Sequence, residues 1–188
     1  MPDYSLKKIS VLEEYNNEIN GIKISEIENV AIYALAIKEK NEEKAALSLK
    51  NSFDAIMPYV GASSISKKYN LKILRFSVDQ LFLFFDSKIL TTIQYIFKII
   101  NDSFYITEQT DAWCGLRVSG ANIKECLIRI CAIDISIEQF PVNAFAKTIM
   151  EHLGTIIIRS QPLEFELFSA SSSAQSFLHA VETSARNI

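Results

Sequence analysis

Three cysteines and two histidines are the residues of this sequence best suited to bind a metal or attack a substrate. Cys126 and Cys131 are five positions apart, Cys114 lies upstream, and His152 and His179 have no partner at ligand spacing. Structural zinc sites usually pair their ligands about two to four positions apart. No known activation motif joins a cysteine to a histidine, as a thiol nucleophile requires. The cysteines are therefore expected to be small apolar core residues.

The segment Arg117-Val118-Ser119-Gly120 resembles a strand-to-helix turn of the kind that can hold a phosphate. A single glycine falls well short of the spaced glycines of a P-loop or a dinucleotide fingerprint. The simpler interpretation is that Ser119 caps the following helix while Gly120 lets the chain turn tightly.

Asp134 is the most unusual carboxylate, because Ile133 and Ile135 flank it within an apolar stretch. A carboxylate in such a place must be hydrogen-bonded, paired, or directed at solvent or a partner. Glu164 and Glu166 alternate with apolar residues, which is typical of a solvated strand face. Neither pattern predicts a general acid–base pair, which needs a shared cleft.

Trp113 is the only tryptophan of the chain. One interpretation places it in the core. The other makes it an interface anchor, because tryptophan is favoured at the buried centres of protein contacts.

Apolar periodicity predicts a first unit of strand, helix, two strands and helix. Val30 to Ile37 is a continuous apolar run typical of a buried strand. Helices are predicted over Glu39 to Met57 and Ser87 to Ile100, where apolar residues recur at helical spacing. Leu71 to Phe76 and Leu81 to Phe85 are the two strands predicted between them.

A similar order recurs in the second half. A strand is predicted over Ala112 to Val118, and two or three strands follow across Ala144 to Met150, Thr155 to Arg159 and Leu163 to Phe168. The predicted helices are Ile123 to Ile130 and Ser172 to Ala185. The best local match aligns Val78 to Phe84 with Gln161 to Leu167, because in each a turn leads into a strand and a helix follows. The recurrence predicts an internal duplication.

The expected fold is α+β, with two similar half-units of mixed or antiparallel sheet and helices packed on one face. The half-units are placed at about residues 22–102 and 103–188 of a single domain over 22–188. Joining them would bury sheet edges that neither could protect alone. Residues 1–21 are polar, acidic and aperiodic, and are expected to form an extended arm.

Composition excludes several classes of function. The net charge is −3 with a pI near 5.5, and no basic stripe is present, so nucleic-acid binding is not expected. The apolar runs are too short to span a membrane. An odd number of cysteines and an N-terminal sequence unlike an export signal predict reduced thiols and a cytoplasmic protein.

A series of short motifs in the second half carries a family resemblance through its order and spacing. It consists of Gln109 to Trp113, Leu116 to Gly120, Leu127, Cys131, Ile133-Asp134-Ile135, Phe140-Pro141, Thr148, Arg159, Phe165 to Phe168 and the helix start from Ser172 to Leu178. Together these motifs resemble the gamma subunits of heterotetrameric sarcosine oxidases. The resemblance covers about Thr107 to Ala185 and departs at Ser169-Ala170-Ser171, where an arginine is expected. The first half matches in layout and length.

This resemblance implies a fold like the folate-binding domain of the glycine cleavage T-protein. It also implies a non-catalytic structural subunit of a complex that demethylates sarcosine to glycine, with alpha, beta and delta subunits as partners. The alpha chain of such complexes binds NAD and tetrahydrofolate, the beta chain carries FAD, FMN lies between them, and the small delta chain binds zinc. No cofactor is expected on this chain. The residues expected to contact partners are Trp113, Arg117, Asp134, Phe140 and Arg159.

Other functions stay open at this point. A sister interpretation keeps the architecture and changes the substrate, as in an N-methylglutamate dehydrogenase. A second class is a small folate-binding aminomethyltransferase-like protein, and a third is a free-standing binding module. The third predicts a well-behaved monomer, whereas a subunit should expose a larger apolar patch than monomers usually do.

Overall fold

The computed structural model describes residues 10–188, which form two antiparallel sheets and four α-helices. The strands are β1 (Asn16–Ile19), β2 (Ile22–Glu26), β3 (Val30–Ile37), β4 (Ser63–Ser66), β5 (Leu71–Arg75), β6 (Gln80–Asp86), β7 (Phe104–Glu108), β8 (Trp113–Ser119), β9 (Phe145–Met150), β10 (Leu153–Gln161) and β11 (Glu164–Ala170). The helices are α1 (Glu42–Phe53), α2 (Leu90–Ile100), α3 (Ile123–Ile128) and α4 (Ala174–Arg186). One sheet has the order β4-β5-β6-β3-β7 and the other β1-β2-β8-β11-β10-β9.

The two sheets face each other, and each carries two helices on its outer face. Helices α1 and α2 share one apolar cluster with the five-stranded sheet, and α3 and α4 share another with the six-stranded sheet. A third cluster lies between the sheets, where the rings of Phe84 and Phe168 are 5.0 Å apart. This arrangement confirms the α+β prediction with helices on one face of each sheet. No helix within residues 10–188 is long and apolar enough to cross a membrane.

Strand β3 shows why a continuous apolar run marks a central strand. Successive side chains of a strand point to opposite faces. Tyr33 and Leu35 point to the helices, whereas Ile32 points to the other sheet. Because both faces of β3 are covered, an alternating polar pattern would leave polar groups buried.

Helix α1 is shorter than the sequence predicts at both ends. Its first turn is capped by Asn41, whose side-chain oxygen accepts a hydrogen bond from the backbone N–H of Lys44 at 3.0 Å. Glu39 has a non-helical backbone (φ 54°), and Asp54 adopts the left-handed conformation that ends a helix (φ 51°). The predicted helix from Glu39 to Met57 is therefore confirmed only over Glu42–Phe53.

The half-units predicted at residues 22–102 and 103–188 do not each form a separate sheet, because the chain changes sheets twice. Strand β2 pairs with β8 in the six-stranded sheet, although the strand that follows it, β3, lies in the other sheet. Strand β7 pairs with β3, although the strand that follows it, β8, lies in the six-stranded sheet. Strand β2 of the first half therefore joins the sheet formed mainly by the second half, and strand β7 of the second half joins the sheet formed mainly by the first.

The extended arm predicted over residues 1–21 is wrong for the part of it that the structure describes. Leu12 is only 4% exposed and belongs to the core of the six-stranded sheet, and β1 extends that sheet by pairing with β2. The Glu26 carboxylate fixes the preceding turn by accepting hydrogen bonds from the N–H groups of Val11 and Glu14, each at 3.1 Å. Residues 1–9 of the predicted arm lie outside the described residues.

The predicted duplication is present in the order of the elements. The structure aligns the two halves one residue away from the alignment that the sequence match gives. Strands β6 and β11 have seven residues each and both lead through a short 3-10 helix into an α-helix. Their first residues, Gln80 and Glu164, are therefore equivalent, whereas the sequence match pairs Gln80 with Leu163.

The turn after β8 depends on Gly120 and not on a Ser119 cap. Ser119 is the last residue of β8, and Asn122 stands at the cap position of α3 without a side-chain hydrogen bond to the helix. Gly120 has φ 154°, and a Cβ atom there would collide with the carbonyl oxygen of Gly21. Glycine is required because the β1–β2 hairpin packs directly against this backbone.

Candidate partner-contact residues

Three of the five predicted contact residues come together at one end of the six-stranded sheet. Arg159 on β10 lies over the ring of Phe165, with its guanidinium carbon 4.4 Å from the ring centre. Phe140 stacks on the same ring, with centroids 6.4 Å apart and an interplanar angle of 19°. The loop that carries Phe140 also carries Asp134 and Ile135. The cluster therefore fixes the loop between α3 and β9 against the β10–β11 hairpin.

Arg159 is a buried cation held by carbonyl groups. It is 4% exposed, and its guanidinium donates hydrogen bonds to the carbonyl oxygens of Pro162 and Ile135. Burial lowers the pKa of Arg159, and the charge of Glu138 opposes that effect. Nε has no hydrogen-bond partner among the described residues, so the charge is stabilised by the two carbonyls, the Phe165 ring and the charge of Glu138.

Asp134 lies at the surface beside this cluster. Its Oδ1 accepts a hydrogen bond from the backbone N–H of Ser136 at 2.8 Å. That hydrogen bond, with a second from the Ser136 hydroxyl, lowers the pKa of Asp134. An exposed carboxylate that stays ionised can pair with a cation on a partner. The sequence requirement that Asp134 be hydrogen-bonded or directed at solvent is thus met in both ways.

Trp113 lies at the start of β8 between the two sheets. Its ring meets Phe82 of the opposite sheet edge-on, with centroids 6.1 Å apart and an interplanar angle of 77°. The side chain is half-buried, and its buried Nε1–H has no hydrogen-bond partner within the described part of the chain. The contact with Phe82 agrees with the core interpretation of Trp113. The unused Nε1–H donor leaves the interface-anchor interpretation open.

Arg117 belongs to a charged group at the seam between the sheets. Its Nη2 contacts Glu166 on the neighbouring strand β11 at 3.2 Å, and its Nε lies 3.7 Å from Glu164. Glu166 also pairs with Lys72, which lies on β5 of the other sheet. The side chain of Glu166 is only 13% exposed. The prediction that Glu164 and Glu166 form a solvated strand face is therefore wrong for Glu166, which ties the two sheets together.

A cavity of about 470 Å³ opens beside Trp113. Glu14, Glu26, Glu28 and Asp111 contribute carboxylates to its wall, and no lysine, arginine or histidine is among the described residues that line it. The Glu26 carboxylate is occupied by the turn before β1. The described part of the cavity wall therefore carries negative charge, which disfavours anionic ligands.

The cysteines are core residues, as the sequence predicts. Cys114, Cys126 and Cys131 are free and buried. Burial raises the pKa of all three thiols, that of Cys114 to about 11 with a further contribution from the charge of Glu26. These thiols are neutral at pH 7 and unsuited to nucleophilic attack. No group of three or more cysteine, histidine or carboxylate side chains placed to hold a metal occurs between residues 10 and 188.

Burial divides the five predicted contact residues into two groups. Phe140 and Arg159 are 6% and 4% exposed and offer little surface of their own to a partner. Arg117 keeps 46% of its side chain exposed, Asp134 is exposed and Trp113 is half-buried. Partner contact stays a prediction for all five residues, and the burial of Phe140 and Arg159 gives them the further role of holding the loop around Asp134 in place.

Sequence reasoning missed Arg75, which is as buried as Arg159 at 4% exposure. Its guanidinium donates hydrogen bonds to the carbonyl oxygens of Pro58, Ser77 and Val78 and to the Glu42 carboxylate. Aligning Gln80 with Glu164 pairs Arg75 with Arg159. The signal was present in the sequence and was lost through the one-residue error in the match.

No protein-family model matches this chain, and no curated protein matches it. Among solved structures, a chain of the heterotetrameric sarcosine oxidase from Corynebacterium sp. U-96, in complex with pyrrole 2-carboxylate, is similar with a TM-score of 0.75 and 15% identity, over 91% of this chain and 87% of that chain. The aminomethyltransferase T of the glycine cleavage system from Bartonella henselae is similar with a TM-score of 0.65 and 13% identity, over 88% of this chain and 46% of that chain. At such identities the likeness concerns the fold alone. This chain has the fold shared by the sarcosine oxidase chain and the matching part of the aminomethyltransferase.

Proposed function

We propose that this chain is a non-catalytic assembly subunit of the gamma type in a heterotetrameric sarcosine oxidase, which oxidatively demethylates sarcosine to glycine. The observation that carries this proposal is mutual coverage. The similarity extends over 91% of this chain and 87% of the sarcosine oxidase chain, whereas it includes less than half of the aminomethyltransferase. The order of motifs from Gln109 to Leu178 supports the same assignment.

The chemistry of the side chains supports a packing role. The three cysteines are buried and held as neutral thiols. Arg159 and Arg75 use their guanidinium groups on carbonyls of their own chain. Asp134 is ionised and exposed, so it suits ion pairing better than proton transfer at neutral pH.

The partners in this proposal are the alpha, beta and delta subunits, and FAD, FMN, NAD, zinc and tetrahydrofolate are bound by those chains. The experiment is co-expression of the tagged chain with the products of neighbouring open reading frames. We expect the flavin-containing chains to co-elute with it at fixed stoichiometry. Elution of the tagged chain by itself, with a flavoprotein assembling separately, contradicts the proposal.

A related N-methyl amine dehydrogenase, such as one for N-methylglutamate, would use the same architecture. Substrate contacts in either complex lie on another chain. Assaying the purified complex with sarcosine and N-methylglutamate separates the two, and we expect faster turnover of sarcosine.

The cavity beside Trp113 bears on the alternative of a small folate-binding protein. Its size and the unused Trp113 Nε1–H favour some ligand, but its carboxylates repel the anionic tail of a folate. We therefore expect no binding of tetrahydrofolate by the isolated chain at micromolar concentration in titration calorimetry. Saturable binding would move the assignment to the aminomethyltransferase-like class.

A further inference from the structure

The duplication allows the outer edge of β7 to be compared with the equivalent edge of β2. Strands β2 and β7 have five residues each, and each precedes the point where the chain changes sheets. The outer edge of β2 is covered by β1, which pairs with it in antiparallel fashion. Within residues 10–188, no strand pairs with the outer edge of β7. Equivalent edges of the two sheets are thus covered in one case and open in the other.

The flanking hydrogen bonds fix which groups of β7 face outward. The N–H of Lys38 bonds to the carbonyl of Ser103 at 3.0 Å, and the N–H of Gln109 bonds to the carbonyl of Ile32 at 2.8 Å. Residues 103 and 109 therefore direct their backbone groups toward β3. Because this direction alternates along a strand, the N–H and C=O groups of residues 104, 106 and 108 point away from β3. The phase matches that of β2, where the N–H of Glu26 bonds to the carbonyl of Tyr15 in the covering segment at 2.7 Å.

The other outer edges carry features that discourage pairing with another chain. Strand β9 contains the exposed Lys147, and its end is bridged to Cys131. Strands β1 and β4 have only four residues, and two serine hydroxyls of β4 bond to neighbouring carbonyls. Strand β7 has one charge, Glu108 at its end, and exposes 64% of Tyr105. It is the edge best suited to accept a strand.

We propose that, in the chain free of its partner subunits, the outer edge of β7 pairs with β7 of a second copy, antiparallel and centred on Ile106. In this register Phe104 lies opposite Glu108 of the second copy, and Tyr105 lies opposite Thr107. No like charges face each other, which favours cross-strand pairing. The two-fold contact joins the five-stranded sheets of the two copies into one continuous sheet.

Charge complementarity favours a second copy over an unrelated strand. The ammonium groups of Lys38 and Lys44 lie at the start of β7, where they contact the carbonyls of Asn101 at 2.6 Å and Asp102 at 3.2 Å. The antiparallel register brings Glu108 of one copy to the end of the other where these two lysines outnumber Asp102, and it does so twice because of the two-fold symmetry.

Disulfide trapping tests the register directly. In the proposed register, Tyr105 lies opposite Thr107 of the second copy, and the two residues do not exchange backbone hydrogen bonds. The Cα atoms of such a pair are about 4.5 Å apart, a distance that suits a disulfide. We expect a mixture of Tyr105→Cys and Thr107→Cys chains to give a covalent dimer on mild oxidation, and either variant by itself to give none. The native cysteines are buried and serve as an internal control. Absence of the mixed dimer, or equal cross-linking of a single variant, overturns the proposal.

Sedimentation equilibrium of the full chain tests the pairing without cross-linking. We expect a monomer–dimer equilibrium that depends on concentration. Ile106→Pro removes one outward N–H, which edge strands tolerate, and should weaken the dimer at least about tenfold, whereas the control Ile106→Val retains the N–H and the dimer. A chain that is monomeric at every soluble concentration, or a folded Ile106→Pro variant that dimerises like Ile106→Val, contradicts the proposal. Neither experiment requires the partner subunits.

Discussion

Arg75 and Arg159 occupy equivalent positions in the two halves of the chain, and each donates a hydrogen bond to the carbonyl three residues further along, that of Val78 or Pro162. Each guanidinium thereby fixes the turn that leads into the following strand. Both side chains are 4% exposed. The duplication therefore extends from the order of elements to single hydrogen bonds, and both halves place a buried cation at the same turn.

Replacing Arg159 tests whether this buried cation stabilises the fold. Arg159→Met retains much of the side-chain volume but leaves the carbonyls of Ile135 and Pro162 without a donor. We expect the free energy of unfolding in urea to fall by about 2–4 kcal/mol. The control Arg186→Met removes an arginine that is 54% exposed, and it should cost less than about 0.5 kcal/mol. Similar losses for both variants would contradict the structural role of Arg159.

The Lys72–Glu166 ion pair is expected to couple the two sheets. Its side chains are 25% and 13% exposed, so solvent screens the pair less than a surface pair. A double-mutant cycle of Lys72→Met and Glu166→Gln should give a coupling energy of about 1 kcal/mol. The control pair Arg117–Glu164 is longer at 3.7 Å, and its arginine is 46% exposed. A coupling energy for Arg117–Glu164 that equals or exceeds that of Lys72–Glu166 would show that the ion pair between the sheets adds no more stability than a surface pair.

Alkaline pH should reveal the burial of Cys114. Its pKa is raised from 9.0 to about 11 in the folded chain, so above pH 9 the unfolded chain loses this proton first. The stabilisation is complete below pH 9 and is lost as the pH rises to 11. Between these values the free energy of unfolding should fall by about 1–2 kcal/mol more for the native chain than for Cys114→Val. Parallel pH profiles of the two proteins would exclude this linkage.

Asp134 is the exposed residue whose substitution best separates assembly from stability. We expect Asp134→Ala to leave the midpoint of unfolding in urea nearly unchanged, because only local hydrogen bonds from Ser136 to an exposed carboxylate are lost. Under the proposed function it should weaken co-elution with the partner chains while the flavin content of the beta chain stays intact. Glu43→Ala, at an exposed carboxylate of α1, is the matched control. Loss of flavin reduction in a complex that still assembles would instead indicate a catalytic role for Asp134.

The central elements could be predicted from the sequence because their burial leaves a strong pattern. Strands β3, β6 and β11 are apolar on buried faces, and α2 and α4 carry apolar residues at helical spacing, so each was predicted close to its observed range. Strands β1, β2, β4 and β7 were missed. They lie at or next to sheet edges, where one side is solvated and no apolar run marks them.

The strand exchange and the seam could not be predicted, because both depend on which sheet a strand joins. Nothing local in Ile22–Glu26 or Phe104–Glu108 indicates that each pairs across the duplication. The alternation of Glu166 with apolar neighbours gave its direction correctly but not the opposing sheet that covers it. Among the candidate contact residues, the sequence identified Arg159 without indicating that the loop carrying Phe140 buries it.

The most direct test of an assembly role is to omit this chain from an otherwise complete complex. The partner chains are expressed with and without it, and the amount of assembled complex and the turnover of sarcosine per bound flavin are measured. We expect omission to abolish or destabilise the complex while any complex that forms turns over sarcosine normally per flavin. A complex of unchanged yield, stability and activity without this chain, or turnover of sarcosine by the isolated chain, would contradict the account.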